Sequence, residues 1–159
     1  MFSVGDKVVY PMQGVGIVER IENRIFSGKN REYIIVKILA NKMEVMIPSD
    51  MIDKSNLRKI SDNSTLENVL SNLTANENDD ENLSTKQRYE NNFNKFKVGS
   101  LKNSLEVVYD LGEINRNKKL NSSEKQLFHT AHKFLLEEVS CIKNMSLTEA
   151  DDYLKNRLN

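Results

Sequence analysis

The apolar pattern of the chain changes at Pro48, and this change limits the fold more than any other feature. Before Pro48 the apolar residues come in short runs, separated by glycine, proline and polar clusters, as is typical of short β-strands. The predicted strands cover residues 7–10, 14–21, 32–38 and 43–47. The apolar residues of the second strand at 15, 17 and, after Val18, 21 indicate an irregularity, and Gly14 and Gly16 allow a bend or bulge. Short strands joined this tightly predict a small, curved β-barrel.

After Pro48 the apolar residues recur at helical spacing. The predicted helices open at the capping residues Ser64, Ser84, Ser100, Asn121 or Ser122, and Ser146. Residues 74–82 are polar and acidic and lack a hydrophobic period, so we expect a flexible connection there. The predicted fold class is therefore α+β with two domains. Residues 1–59 form the β domain, and residues 60–159 form a compact, all-α helical bundle.

The equal totals of 23 basic and 23 acidic residues hide an uneven distribution of charge. Residues 61–82 contain six acidic residues and no basic one, whereas residues 83–133 contain ten basic residues against five acidic ones. Such placement can indicate a charged partner even when the net charge is zero. An ordinary solvated helical surface is the open alternative.

The sequence contains no recognisable catalytic or metal-binding motif. Walker and dinucleotide-binding glycine patterns are absent, and the single cysteine, Cys141, is expected to be a buried structural thiol. His129 and His132 lie three residues apart but lack a supporting set of ligands or a nucleophile. We therefore expect neither an enzyme nor a cofactor, and a hydrolase that uses either histidine is the remotest alternative.

The sequence also bears on the compartment. No apolar run approaches the roughly 18–20 residues that a membrane-spanning helix needs. The first residues lack the basic and then apolar segments of a signal peptide. We therefore expect a cytoplasmic protein with no membrane partner.

The opening residues read Phe2-x-Val4-Gly5-Asp6-x-Val8-Val9-Tyr10-Pro11-x-x-Gly14-x-Gly16. This pattern resembles the start of the CarD/CdnL family of bacterial transcription regulators. The same module occurs in the transcription-repair coupling factor. The second half is similar to the family at Arg88-Tyr89, Gly99-Ser100 and Leu120-Asn121-Ser122-Ser123-Glu124-Lys125. The resemblance thus covers nearly the whole chain.

This resemblance implies a function. Family members bind the β subunit of RNA polymerase through an N-terminal Tudor-like barrel. Their helical domain contacts promoter DNA just upstream of the −10 element, and together the domains alter the stability of the melted promoter complex. They are not enzymes and need no cofactor. We expect this chain to do the same as a monomer.

The resemblance implies polymerase-binding residues on one strand edge and at one basic position. The strand that aligns with the family's polymerase-facing edge comprises Met43, Glu44, Val45, Met46 and Ile47. An exposed edge of this kind can accept a partner strand. Arg24, which we place in the loop after the second strand, matches a basic position that the family uses. Met46 lies where relatives can carry arginine, and its thioether offers only apolar contact.

For DNA, the resemblance implies phosphate contacts from the basic residues of the helical half. The candidates are Lys86, Arg88, Lys95, Lys118, Lys119 and Lys125. Lys86 and Arg88 begin a helix, whose N-terminus would also attract phosphate. Such contacts give affinity and register but do not read the base sequence.

The largest departure from the family is the absence of tryptophan. Relatives commonly place a tryptophan near the start of the Arg-Tyr helix, where its ring lodges in the minor groove. The corresponding position here is Thr85, with Leu83 close by as a possible apolar wedge. Tyr89 is another candidate, although core packing is its preferred interpretation. We therefore expect bubble stabilisation to be weaker or built differently. The alternative function is a polymerase-binding adaptor without a functional DNA contact.

Overall fold

The computed structural model describes residues 1–73 and 84–158. The chain divides into two compact units, Met1–Ile60 and Ser61–Asn159. The predicted connection at 74–82 and the candidate wedge Leu83 lie outside the described residues.

The first unit contains one antiparallel sheet of five strands. The strands are β1 (Lys7–Tyr10), β2 (Gly14–Phe26), β3 (Lys29–Ile38), β4 (Glu44–Pro48) and β5 (Arg58–Lys59). A 3-10 turn at Ser49–Met51 and the short helix α1 (Ile52–Ser55) connect β4 to β5. The strand order is β4-β3-β2-β1-β5, so the predicted barrel is not closed. Strand β5 has only two residues, and both of these pair with β1, so β5 does not pair with β4 at the other end of the sheet.

The hairpin of β2 and β3 is longer than the sequence predicts. The strands pair continuously out to Phe26 and Lys29, and Ser27 and Gly28 form the turn with φ values of 53° and 77°. Two left-handed residues in a two-residue loop match the twist of the flanking strands. The irregularity predicted in β2 is confirmed as a shift of register between Val18 and Arg20.

The main core of this unit lies on one face of the sheet, and Ile35 is buried on the other. The main core consists of Val8, Val18, Ile34, Val36, Ile38, Ile47 and Leu57. Gly16 allows β2 and β3 to approach closely, because a Cβ atom there would lie 2.7 Å from Val36 Cγ1 and 2.8 Å from the Lys37 carbonyl oxygen. The opposite face is called the outer face below.

The described part of the second unit contains five helices. They are α2 (Asn63–Ser71), α3 (Thr85–Val98), α4 (Leu101–Asn117), α5 (Ser122–Lys143) and α6 (Leu147–Leu158). Ser84, Ser100 and Asn121 cap their helices as predicted, and Ser146 and Glu149 form the predicted capping box. The predicted cap at Ser64 is wrong, because the Asp62 carboxylate accepts the Thr65 N–H and α2 begins at Asn63.

The helices pack around a single apolar core. Its buried residues include Leu66, Leu105, Leu111, Leu135, Val139 and Leu154. The sequence predicts a buried Cys141 thiol, but Cys141 is only half-buried. It lies on the side of α5 next to the row of residues that packs into the core, and not in that row. None of the described helices is both long enough and apolar enough to span a membrane.

A charged cluster at Glu67 joins three helices. The Glu67 carboxylate of α2 accepts hydrogen bonds from Lys143 of α5 at 2.7 Å and from Tyr153 and Arg157 of α6. These donors, Lys143 first, lower the pKa of Glu67 from 4.5 to about 2. The cluster therefore stabilises the attachment of α2 while the carboxylate is ionised.

This cluster predicts an acid-dependent loss of stability. The pKa of Glu67 is lower in the folded chain than in the unfolded chain. The ionised carboxylate therefore contributes fully to the free energy of unfolding above about pH 4.5, and this contribution disappears as the pH falls from about 4.5 to 2. We expect Glu67→Gln to be less stable than the parent at pH 7, and the difference to shrink over that interval. Urea denaturation at a series of pH values measures it. Glu90→Gln, at an exposed carboxylate of α3, is the control, and equal pH dependence of parent and Glu67→Gln would contradict the prediction.

Candidate functional site

Strand β4 directs half of its backbone away from the sheet. The Ile38 N–H donates to the Met43 carbonyl over 2.8 Å, which fixes the phase of the ladder between β3 and β4. Because hydrogen-bonded pairs alternate along an antiparallel ladder, Glu44 and Met46 direct their N–H and carbonyl groups away from β3. Pro48 occupies the next outward position, where its missing N–H removes no ladder bond. The edge is therefore geometrically able to accept another strand.

The side chains of the predicted polymerase-facing strand divide between the core and the solvent. Ile47 is buried and Val45 packs against the core, so their side chains are not available to a partner. Met43, Glu44 and Met46 are exposed. Met46 lies on the outer face, opposite the buried Ile35.

Arg24 lies within β2, opposite Arg31, and the predicted loop position is wrong. The sequence suggested a loop because residues 22–31 lack an apolar period, yet the hairpin continues through them. The exposed Arg24 side chain forms an ion pair with Glu22 at 2.6 Å. Arg24 and, to a lesser degree, Arg20 hold the pKa of the Glu22 carboxyl below its usual range.

Sequence reasoning missed Arg20, which organises the outer face. Its guanidinium forms two hydrogen bonds to the Glu44 carboxylate at 3.0 and 3.1 Å and another to Glu22 at 3.1 Å. Arg20 thus joins β2 to the edge strand across β3 and lowers the pKa of Glu44. The available signal was the charged series at residues 20, 22 and 24, whose spacing places all three side chains on one face of a strand.

Two aromatic residues on the outer face, the exposed Phe26 and the half-buried Tyr33, were also missed. Phe26 is 54% exposed, and its ring meets that of Tyr33 edge to face at 5.8 Å. Cross-strand register places both on the same face as Arg24. The outer face therefore combines charged residues with an apolar patch, which is a common composition for protein interfaces.

In the helical unit, the predicted DNA contact Arg88 is engaged in a buried ion pair. Its guanidinium binds the Glu124 carboxylate through two bonds of 2.8 and 2.9 Å. The side chains are only 16% and 1% exposed, respectively. Arg88 is thus held by Glu124, and its charge is already compensated.

This ion pair brings the N-terminal turns of α3 and α5 together. Lys86 lies two residues before Arg88, and Lys125 follows Glu124. Lys118 and Lys119 lie in the short connection between α4 and α5. All four lysines are exposed, and none forms an ion pair with another described residue. We call Lys86, Lys118, Lys119 and Lys125 the lysine cluster.

The remaining predicted DNA contacts are placed differently. Lys95 lies more than two turns further along α3 and forms an ion pair with Glu106 at 3.0 Å, so it does not join the lysine cluster. Thr85 is the first residue of α3 and is exposed. Tyr89 is half-buried against the helical core.

The two histidines lie away from these surfaces. His129 is exposed, and His132 Nε2 lies 3.4 Å from a carboxylate oxygen of Asp151. Burial lowers the pKa of His132, although Asp151 opposes this shift. Within the described ranges, no group of three or more histidine, cysteine or acidic residues could hold a metal ion.

Comparison with known proteins covers both units. Residues 2–61 match the model of the CarD-like/TRCF RID domain, and residues 68–155 match that of the CarD C-terminal domain. The chain is 38% identical over 146 residues to "Putative transcription factor YdeB" of Bacillus subtilis (strain 168), covering 92% of this chain and 95% of that protein. The chain belongs to the CarD/CdnL family. Its N-terminal unit is accordingly Tudor-like and of a class of domain that interacts with RNA polymerase.

Two solved structures are similar to the N-terminal unit of this CarD/CdnL-family chain. The 72-residue N-terminal domain of Myxococcus xanthus CarD is 30% identical, with a TM-score of 0.32, and the match covers 37% of this chain and 79% of that domain. The CdnLNt structure from the same organism is 42% identical, with a TM-score of 0.33, and the match covers 38% and 84%. The family acts in transcription regulation and is typically non-enzymatic.

Proposed function

We propose that the chain binds the β subunit of RNA polymerase through residues 1–59 and contacts promoter DNA upstream of the −10 element through residues 60–159. These contacts change the stability of the melted promoter complex. The observation that carries the proposal is the outward-facing backbone of β4, which lies in a domain of the polymerase-interacting class.

The polymerase contact uses strand addition at β4 together with side chains of the outer face. Backbone groups of Glu44 and Met46 supply hydrogen bonds, which give affinity with little dependence on sequence. Arg24 and Phe26 supply charge and apolar area, which select the partner. Arg20 holds Glu44 in place and so fixes the charge next to the edge.

The DNA contact uses the lysine cluster. Four exposed lysines lie in the first turns of α3 and α5 or in the connection before α5, and among the described residues no carboxylate forms an ion pair with them and so competes with phosphate. Thr85 lies at the same end and is small, so it cannot provide the stacking area of a tryptophan. The cluster therefore gives affinity through phosphates, and sequence selection stays with the polymerase.

Replacing two members of the cluster tests the DNA contact. We expect the double variant Lys86→Gln, Lys125→Gln to bind polymerase normally but to change open-complex lifetime less than the parent. Each lost phosphate contact should reduce the slope of log affinity against log salt by about 0.9. The lifetime of the promoter complex measures the first effect, and the affinity of the chain for that complex at several salt concentrations measures the second. Lys102→Gln, at a 72% exposed lysine of α4, is the matched control.

The same experiment distinguishes the proposed function from the alternative, which is a polymerase-binding adaptor without DNA contact. Two observations favour that alternative, namely the lack of tryptophan and the compensation of Arg88 by Glu124. If the chain is such an adaptor, we expect the double variant and the parent to have the same effect on the lifetime of promoter complexes. We also expect their affinities for these complexes to depend on salt in the same way.

A further inference from the structure

A groove of about 210 Å³ lies between α3 and α5, next to the lysine cluster. Tyr89, Phe93 and Phe96 line it from α3, and Leu127, Gln126 and Thr130 line it from α5. Phe96 and Leu127 are buried and form its floor, whereas the rings of Tyr89 and Phe93 remain half-exposed. The groove therefore has an aromatic wall that solvent can reach.

The aromatic wall continues into basic residues at both ends. The rings of Tyr89 and Phe93 stack with centroids 5.9 Å apart and planes at 17°. Lys97 Nζ lies 5.7 Å from the centroid of the Phe93 ring. Lys86 lies one turn before Tyr89, so α3 presents a stripe of lysine, two aromatic rings and lysine.

Both walls of the groove carry hydrogen-bonding groups. Among the described residues, none forms a hydrogen bond with the side-chain polar atoms of Tyr89, Gln126 or Thr130. A glutamine amide both donates and accepts hydrogen bonds, as the edge of a nucleobase does. Among the described residues no aspartate or glutamate lines the groove, so its described walls do not repel an anionic chain.

We propose that this groove binds one unpaired nucleobase of the melted promoter strand. The base stacks against Tyr89, Gln126 hydrogen-bonds its edge, and Lys86 and Lys97 contact the neighbouring phosphates. Aromatic stacking with basic residues on either side is how proteins hold single strands without strong sequence preference. A paired base cannot enter, because its face is covered by its neighbours in the duplex. This inference rests on the proposed function and specifies what replaces the missing tryptophan.

The test compares two promoter fragments in complex with the cognate RNA polymerase holoenzyme. One fragment carries a non-complementary segment that stays unpaired, and the other is fully paired and kept closed at low temperature. The parent is expected to bind the unpaired complex more tightly. Tyr89→Leu keeps apolar packing but removes the ring, and it should weaken binding to the unpaired complex about tenfold. Its affinity for polymerase alone should stay within about twofold of the parent's.

Two further variants keep the test decisive. Gln126→Ala changes an exposed residue without a packing role, and it should weaken binding to the unpaired complex severalfold even if Tyr89→Leu proves unstable. Tyr109→Leu makes the same chemical change on α4, outside the groove, and should have no effect.

Three outcomes would overturn the proposal. If Tyr89→Leu and Gln126→Ala bind the unpaired complex like the parent while Lys86→Gln, Lys125→Gln does not, the groove assignment is wrong and the proposed function stands. If Tyr89→Leu weakens binding to polymerase alone equally, a protein segment occupies the groove. If the parent does not bind polymerase, the groove assignment and the proposed function are both wrong.

Discussion

Replacing Glu124 with alanine is expected to destabilise the helical unit by about 3–5 kcal/mol, the cost of leaving a buried charge without its partner. The Arg88 side chain, only 16% exposed, would lose a carboxylate that it binds through two hydrogen bonds. The loss would also loosen the junction of α3 and α5 that assembles the lysine cluster. Urea denaturation followed by circular dichroism measures the change.

Two comparisons show whether the buried pair is responsible. Glu113→Ala removes a carboxylate from the exposed pair with Arg116, and it should cost less than about 1 kcal/mol. The double replacement Arg88→Met, Glu124→Leu removes both charges and should recover most of the lost stability. A loss below about 1 kcal/mol for Glu124→Ala would contradict the account. Because Arg88 has this structural role, its variants should not be used alone to test DNA binding.

Met46→Pro is expected to weaken polymerase binding at least about tenfold while the first unit stays folded. The Met46 N–H points away from β3, so proline removes a donor that only a partner strand would use. The preceding residue is already extended, as a residue before proline prefers to be. Affinity for purified polymerase and the thermal transition of the variant measure the two effects.

Two related substitutions distinguish the effect of the Met46 backbone N–H from that of its side chain. Met46→Ala keeps the outward N–H and should reduce binding much less than Met46→Pro. Val45→Pro makes the same backbone change one residue earlier, where the N–H faces β3, and should unfold the sheet. Unchanged polymerase binding by folded Met46→Pro would exclude strand addition at this edge.

Local signals in the sequence were sufficient for most of the elements. The helix caps at Ser84, Ser100 and Ser146 depend on residues within one turn, and the sequence predicts them correctly. The outer part of the β2–β3 hairpin could not be predicted, because residues 22–31 are largely polar and one of its stabilising contacts is distant in sequence. The Arg31 guanidinium binds the Asp50 carboxylate, 19 residues away along the chain.

The candidate sites depend more strongly on long-range packing. The sequence alone indicated that the lysines are exposed, but it did not indicate which basic residues are engaged in ion pairs. The Arg88–Glu124 pair joins residues 36 positions apart, and only the packing of α3 against α5 brings them together. The sequence pattern therefore predicted a group of basic residues but could not distinguish Arg88, which pairs with Glu124, from the lysines that form no ion pair with another described residue.

The most direct test of the central claim is the affinity of purified cognate RNA polymerase for the parent, Arg24→Glu and Lys59→Glu. Arg24 lies on the outer face of β2, whereas Lys59 lies on β5 at the edge opposite β4 and is 56% exposed. The account predicts that the parent binds, that Arg24→Glu binds at least about tenfold more weakly, and that Lys59→Glu stays within about twofold. Absence of binding by the parent, or equal losses in both variants, would contradict it.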